Sequence, residues 1–403
     1  MRIEDCIVLY GVELEPYRCA RFEVGEGRIA VCDLVDPIQR IENGATVIIP
    51  GLVNAHTHMG DSFLPDGATG LTLEQGFFRP DGFKYREIAK LDRSAHVAYI
   101  ADALSYMALS GTVAHFDFRE QGPDGSARLR EASEMTGVRS VILGQFDHVP
   151  FDAATLQANE ANLSVESKQE LEAMLSIADG FSESTMNDLT DSAWREIQSI
   201  TQSMGKARAI HCLENEGYRN LSLERTGRGD LEQAIDLYDP DIIVHLTVAN
   251  GEEIALMAQS GITGVLNPRA NANLGLPLPP VAKLLEAGVN LLLGTDNGLL
   301  NSPSMLAELD FTYKLAKSQY GDALRPDPAA ILKMATSNVG RTRWGDELPG
   351  VILPGAPASY AVIDFHQPHL RRSAHIVASV LTRVTPADIM ETVLHGKTLY
   401  RKN

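Results

Sequence analysis

Two hydrophobic rhythms divide the 403-residue chain. Residues 1 to about 49 alternate apolar and polar positions in short runs such as "CARFEVGEGRIAVCD", with turn signals at Gly25 and Gly27. Side chains two apart on a strand share a face, so this alternation predicts short antiparallel strands. The middle of the chain instead repeats a helical stretch, a glycine and a short β-branched or aliphatic run. Examples are "MALSGTVAHF", "SEMTGVRSVIL", "MAQSGITGVL", "LLEAGVNLLL" and, more loosely, "TQSMGKARAIH", with glycines at 111, 137, 261, 288 and 205. A glycine just past a helix end takes the left-handed conformation that closes the helix, and a buried parallel strand follows. Five such joints predict repeated βα units on a parallel sheet, as a doubly wound sheet or a barrel. From about residue 348 the first rhythm returns in "GVILPGAPASYAVIDF" and "ADIMETVLHGKTLYRKN". The expected organisation is a composite sheet domain of residues 1–49 and 348–403 beside a central α/β domain of residues 50–347. Phe146 to Asp191 is the least patterned stretch and marks a fourth strand only faintly.

Composition narrows the function classes. The apolar fraction of 44% is that of a globular protein, and no run of eighteen apolar residues offers a membrane span. The start, "MRIEDCIVLYGVE", looks like a first strand and lacks the apolar core of a signal peptide. Four cysteines (Cys6, Cys19, Cys32, Cys212) without CxxC spacing suit free thiols, so a cytoplasmic protein is expected. A formal charge of −18 with no basic run argues against nucleic acid and anionic membranes as partners.

The candidate chemistry begins at "GLVNAHTHMG", where an apolar run stops at two histidines. On a strand His56 and His58 point to one side and Thr57 to the other, and two convergent imidazoles suit a divalent metal. Alone, an HxH is usually chance. Three further polar residues stand where apolar strands meet polar loops: His211 in "ARAIHCLENEG", His245 in "DIIVHLTVAN" and Asp296 in "VNLLLGTDNG". The successive intervals from His58 to His211, His245 and Asp296 are 153, 34 and 51 residues. At roughly 30 to 40 residues per βα unit, these residues fall on strands one, five, six and eight of a (β/α)8 TIM barrel, at the ends where functional groups gather. Each has a plainer reading: a strand-end histidine is more often a hydrogen-bonded structural group, and Thr-Asp-Asn-Gly is turn chemistry. The joint arrangement is far less probable by chance than any member. His115 reads as a core or supporting residue, and His96, in a helix expected over 93–110, as a surface or packing residue. His148, His366, His369, His375 and His395 show no partner pattern.

"PGLVNAHTH", "HCLE", "HLTVANGEEIALMAQSGITGVLNPRANANLG" and "LLEAGVNLLLGTDNG" resemble the amidohydrolase superfamily, and within it the mononuclear deaminase and chlorohydrolase branch. The likeness covers nearly the whole chain, its termini matching that family's small β-sandwich domain. It implies that His56, His58, His211 and Asp296 bind one divalent metal, zinc by preference and iron(II) as the alternative. His245 would lie beside the water or substrate, Asp296 would accept the water's proton, and Glu214 would carry a proton to the ring. Positions 211 and 214 would face opposite sides of an ideal strand, so Glu214 must lie past the strand end. Neither Lys168 nor Lys206 is placed to bridge two metals. The resemblance further implies a small heterocyclic substrate (purine, pyrimidine, pterin or nucleoside-like) and a homodimer or larger homo-oligomer. Amide or triazine hydrolysis on the same site is the nearest alternative, and a non-catalytic barrel a more distant one. Arg269, in "NPRANAN", and Phe77 and Phe78, in a glycine-rich loop after HxH, are the candidate substrate contacts.

Overall fold

The computed structural model describes residues 1–403. The chain opens with strands β1 (Arg2–Tyr10), β2 (Glu15–Gly25), β3 (Arg28–Pro37) and β4 (Thr46–Pro50). It continues through β5 (Leu52–His58), β6 (Thr112–Arg119), β7 (Arg139–Gly144), β8 (Gly180–Glu183), β9 (Ala207–Cys212), β10 (Ile242–His245), β11 (Thr263–Leu266), β12 (Leu291–Leu293) and β13 (Asp296–Asn297). It returns with β14 (Tyr360–Asp364), β15 (Ile389–Leu394) and β16 (Lys397–Arg401).

Both ends of the chain build one seven-stranded sheet in the order β16-β15-β14-β4-β1-β2-β3. Alternation explains how it is held. In "CIVL" of β1, Cys6 and Val8 join a cluster with Phe22 and Tyr360, whereas Ile7 and Leu9 join the main core with Val47 and Ile49. The strand therefore buries both faces, and each apolar position contributes roughly 1.5–3 kcal/mol.

The other nine strand segments form a wholly parallel sheet, ordered β12-β11-β10-β9-β8-β7-β6-β5-β13. β12 and β13 are two parts of one strand broken at Gly294 and Thr295, the first bonded to β11 and the second to β5. The sheet thus closes on itself as a (β/α)8 barrel, with Thr295 N donating to the His56 carbonyl at 3.1 Å. Val53, Ala55, Phe118, Ala209 and Val244 pack together in a core cluster drawn from across the barrel. The five glycine joints have φ between 65° and 87°, as closing a helix before a strand requires. The faint fourth strand is β8, only four residues long. The helix expected over 93–110 spans Arg93–Leu109 and begins with the Asp92 carboxylate accepting from Ala95 N. No helix is long and apolar enough to cross a membrane.

Candidate active site

His56 and His58 from β5, His211 from β9, His245 from β10 and Asp296 from β13 meet at one rim of the barrel. The ligand atoms of His56, His58 and His211 lie within 4.8 Å of one another, as do those of His56, His245 and Asp296. Asp296 Oδ1 is 3.3 Å from His56 Nε2 and 3.6 Å from His58 Nε2. The His58 and His211 rings stack with centroids 5.6 Å apart, and Phe118 packs edge-on against His56 at 4.3 Å.

Local backbone features aim these side chains. The register of β5 on β6 slips between Asn54 and Thr57, a bulge that redirects the following residues. Thr57 turns into the barrel wall, its hydroxyl 2.8 Å from both His115 Nδ1 and the Asp117 carboxylate that accepts from it. His245 (φ 81°) and Asp296 (φ 64°) hold left-handed backbone conformations, which cost roughly 1–3 kcal/mol each and gather at functional sites. Leu213 (φ 56°) turns the chain directly after β9, so Glu214 returns to the cavity that His211 lines. Gly294 is required by close approach: a Cβ there would lie 2.5 Å from His56 Cβ and 2.7 Å from His56 N.

The imidazoles are oriented from behind. His58 Nδ1 faces the Phe118 carbonyl at 2.8 Å and Glu120 Oε1 at 3.0 Å, and His211 Nδ1 faces the Glu183 carbonyl at 2.8 Å. Such acceptors hold the proton on Nδ1 and leave Nε2 as the electron-pair donor. Burial lowers His56 to about 4 and His245 to about 3, and carries His211 well below its ordinary value, so all three are neutral at pH 7. Burial would push the Asp296 carboxyl up, but His56, with His245 and His58, outweighs it and holds the group below the usual carboxylate range. Both ring nitrogens of His56 are buried without a hydrogen-bond partner. An unsatisfied buried imidazole, flanked by inward Nε2 atoms and an ionised carboxylate, is a donor set that fits a divalent cation.

Glu214 Oε1 lies 3.7 Å from His245 Nε2. Its carboxyl is pushed up to about 8 by burial and by the charge of Asp296, so it is mostly protonated at neutral pH. The surrounding cavity holds about 40 Å³ and is lined also by Phe77, Phe78, Lys84, Tyr85, Ser184 and Tyr218. The Phe78 ring stacks on Tyr218 at 5.2 Å. Arg269 does not line this space. Its guanidinium lies 3.6 Å from the buried Glu308 carboxylate, and it borders a separate cavity of about 680 Å³ with Asn273 and Asn301. His115, bonded to Thr57 and Ser140, stands in the barrel wall. His96 is fully buried and packs against the Gly60 carbonyl at 2.7 Å.

Sequence reasoning missed Lys84, Tyr85, Glu120, Ser184 and Tyr218. For Glu120 a signal existed: "FDFRE" places Asp117, Arg119 and Glu120 together where a mostly apolar strand ends. Lys84 and Tyr85 stand in a six-residue helix (Phe83–Ile88) and Tyr218 in the first turn of another (Glu216–Thr226), elements whose apolar period does not mark which residue reaches the cavity, and Ser184 stands in the loop after β8.

A closed parallel barrel with inward histidines and an aspartate at its strand ends defines a metal-dependent hydrolase. The chain belongs to the amidohydrolase family, whose description matches residues 47–399, and is a hydrolase of carbon–nitrogen bonds. A relative from Methanothermobacter thermautotrophicus, provisionally named an aminohydrolase, is 32% identical over 99% of both chains. The 5-methylthioadenosine/S-adenosylhomocysteine deaminase of Caldanaerobacter subterraneus is 26% identical, covering 90% of this chain and 83% of its own. Among solved structures, a zinc-bound adenosine deaminase from Xanthomonas campestris superposes with a TM-score of 0.83 at 20% identity, over 98% of this chain and 92% of that one. At that identity the likeness speaks for the fold.

Proposed function

We propose that this protein deaminates an amino-substituted heterocycle of the purine or nucleoside-like kind, with one zinc ion held by His56, His58, His211 and Asp296. The observation that carries the reading is Glu214: a buried carboxyl, protonated at neutral pH, facing the cavity that the imidazoles and Asp296 share. When bound, the ion supplies Lewis acidity that makes water nucleophilic near pH 7. Asp296 accepts the proton released as water adds to the ring carbon bearing the amine. Glu214 donates a proton to the neighbouring ring nitrogen, so negative charge does not build up there. His245 stabilises the oxygen of the attacked carbon. The exocyclic nitrogen takes the proton held by Asp296 and leaves as ammonia, while the hydroxyl on the attacked carbon returns its proton to Glu214 and becomes the ring carbonyl. Phe77 and Phe78 offer faces for the flat ring.

The cavity's 40 Å³ admits a few waters, whereas small-molecule sites span roughly 300–1,000 Å³. The roof of Phe77 and Phe78 therefore lifts to admit substrate. The net charge of −18 and the four free cysteines support action on a small molecule in the cytoplasm, without nucleic acid. The test is Glu214→Gln: metal content should stay at the wild-type level while turnover falls about 10²–10⁴-fold. A Gln variant that retains turnover removes the proton-donor role.

A further inference from the structure

The segment "RPDGFK", residues 79–84, carries two buried cations, each anchored to the end of a different barrel strand. Arg79 pairs with Glu183 at the end of β8, lies 3.1 Å from Asp188 and donates to the Phe146 carbonyl at 3.0 Å. Lys84, only 2% exposed, pairs with Glu120 just past β6, and its Nζ is 3.7 Å from Asp61 Oδ2. Glu120 Oε1 is also 3.0 Å from His58 Nδ1, and the Glu183 carbonyl is 2.8 Å from His211 Nδ1. One segment therefore grips the two strand ends that support inward-facing histidines. Its neighbours Phe77, Phe78 and Tyr85 line the cavity.

We propose that Lys84 is a positioning residue: by fixing the Glu120 carboxylate against His58 Nδ1, it orients His58 for the metal and ties cation affinity to docking of this segment. Two buried cations compete for Glu120. Its other oxygen is 3.2 Å from the Arg119 guanidinium, a buried cation that could draw the carboxylate away. Lys84 holds Oε1 on the histidine side. Without it, His58 Nδ1 keeps the Phe118 carbonyl at 2.8 Å, a neutral acceptor that raises imidazole basicity less than a carboxylate does. The inference depends on His58 being a metal ligand.

The test is Zn²⁺ affinity, measured by competition with a chromophoric chelator, for wild type, His58→Ala, Lys84→Met, Lys84→Arg, Glu120→Gln and the Lys84→Met/Glu120→Gln pair. Lys84→Met and Glu120→Gln should each weaken Zn²⁺ binding about 10–100-fold, the usual effect of losing such support. The pair should lose no more than the more damaged single variant, because both act through one carboxylate. Lys84→Arg should recover most of the affinity, and turnover in Lys84→Met should fall through kcat with KM within about twofold of wild type. Wild-type affinity in a folded Lys84→Met variant, or fully additive losses in the pair, overturns the proposal. The pair removes both buried charges, so it decides the matter if Lys84→Met alone fails to fold: wild-type affinity there overturns the relay as well. Wild-type affinity in His58→Ala instead overturns the metal-site reading beneath it.

Discussion

His56 shows how the site depends on single atoms. Both its nitrogens are buried and unpartnered, and leaving such a group unsatisfied costs roughly 1–3 kcal/mol. In the proposed metal site, a cation taking the Nε2 electron pair would relieve that cost at Nε2. His211→Ala should therefore bring metal content, read by atomic spectroscopy, to a small fraction of one per chain and abolish turnover. A fully loaded His211→Ala protein would contradict the ligand set. Glu214 makes a second prediction at this scale. Burial and Asp296 raise its carboxyl to about 8, so the protonated donor is present below that pH and lost as pH rises through it. The kcat profile should fall on an alkaline limb near pH 8, and that limb should be absent from the residual activity of Glu214→Gln.

Elements decide where those residues point. β12 and β13 carry Asp296 past His56 so closely that only a glycine fits at position 294. Gly294→Ala should cost about 1–3 kcal/mol by overpacking and lower zinc affinity as His56 is displaced. Thermal unfolding and a zinc titration of the same sample would show both. The segment after β5 acts differently: Phe78, stacked on Tyr218, roofs the cavity. Phe78→Ala should raise KM about tenfold with kcat changed less, because it removes stacking shared by ground and transition states. At this scale the sequence was uneven to read. His56, His58, His211, His245 and Asp296 were visible because each ends an apolar run. β8 was faint because Gly180, Ser182 and Glu183 leave Phe181 as its one large apolar side chain. Lys84 and Tyr218 carried no signal because each stands near the start of a helix and reaches the cavity only through tertiary packing, which a helical period does not reveal. Arg269, in "NPRANAN" after β11, pairs with the Glu308 carboxylate and borders the separate cavity.

At the scale of the molecule, barrel closure brings residues 56 and 296 into one site, and the broken eighth strand performs it. Glycine joints announced repeated βα units, but no joint could state that the sheet closes. The spacing of the strand-end residues carried that information. A cation that binds only the closed barrel stabilises it by mass action, by about 4 kcal/mol at a thousandfold excess over Kd. Chelation should lower the unfolding temperature by several degrees, and zinc should restore it. Deamination at a one-metal site is tested most directly by measuring ammonia release from zinc-loaded protein offered cytosine, guanine, adenosine, adenosine thioethers, pterins and amino-triazines, with metal content taken on the same sample. Ammonia should come from a purine or nucleoside-like member of that panel at close to one zinc per chain. A protein that binds one zinc and releases no ammonia from any of them would contradict it.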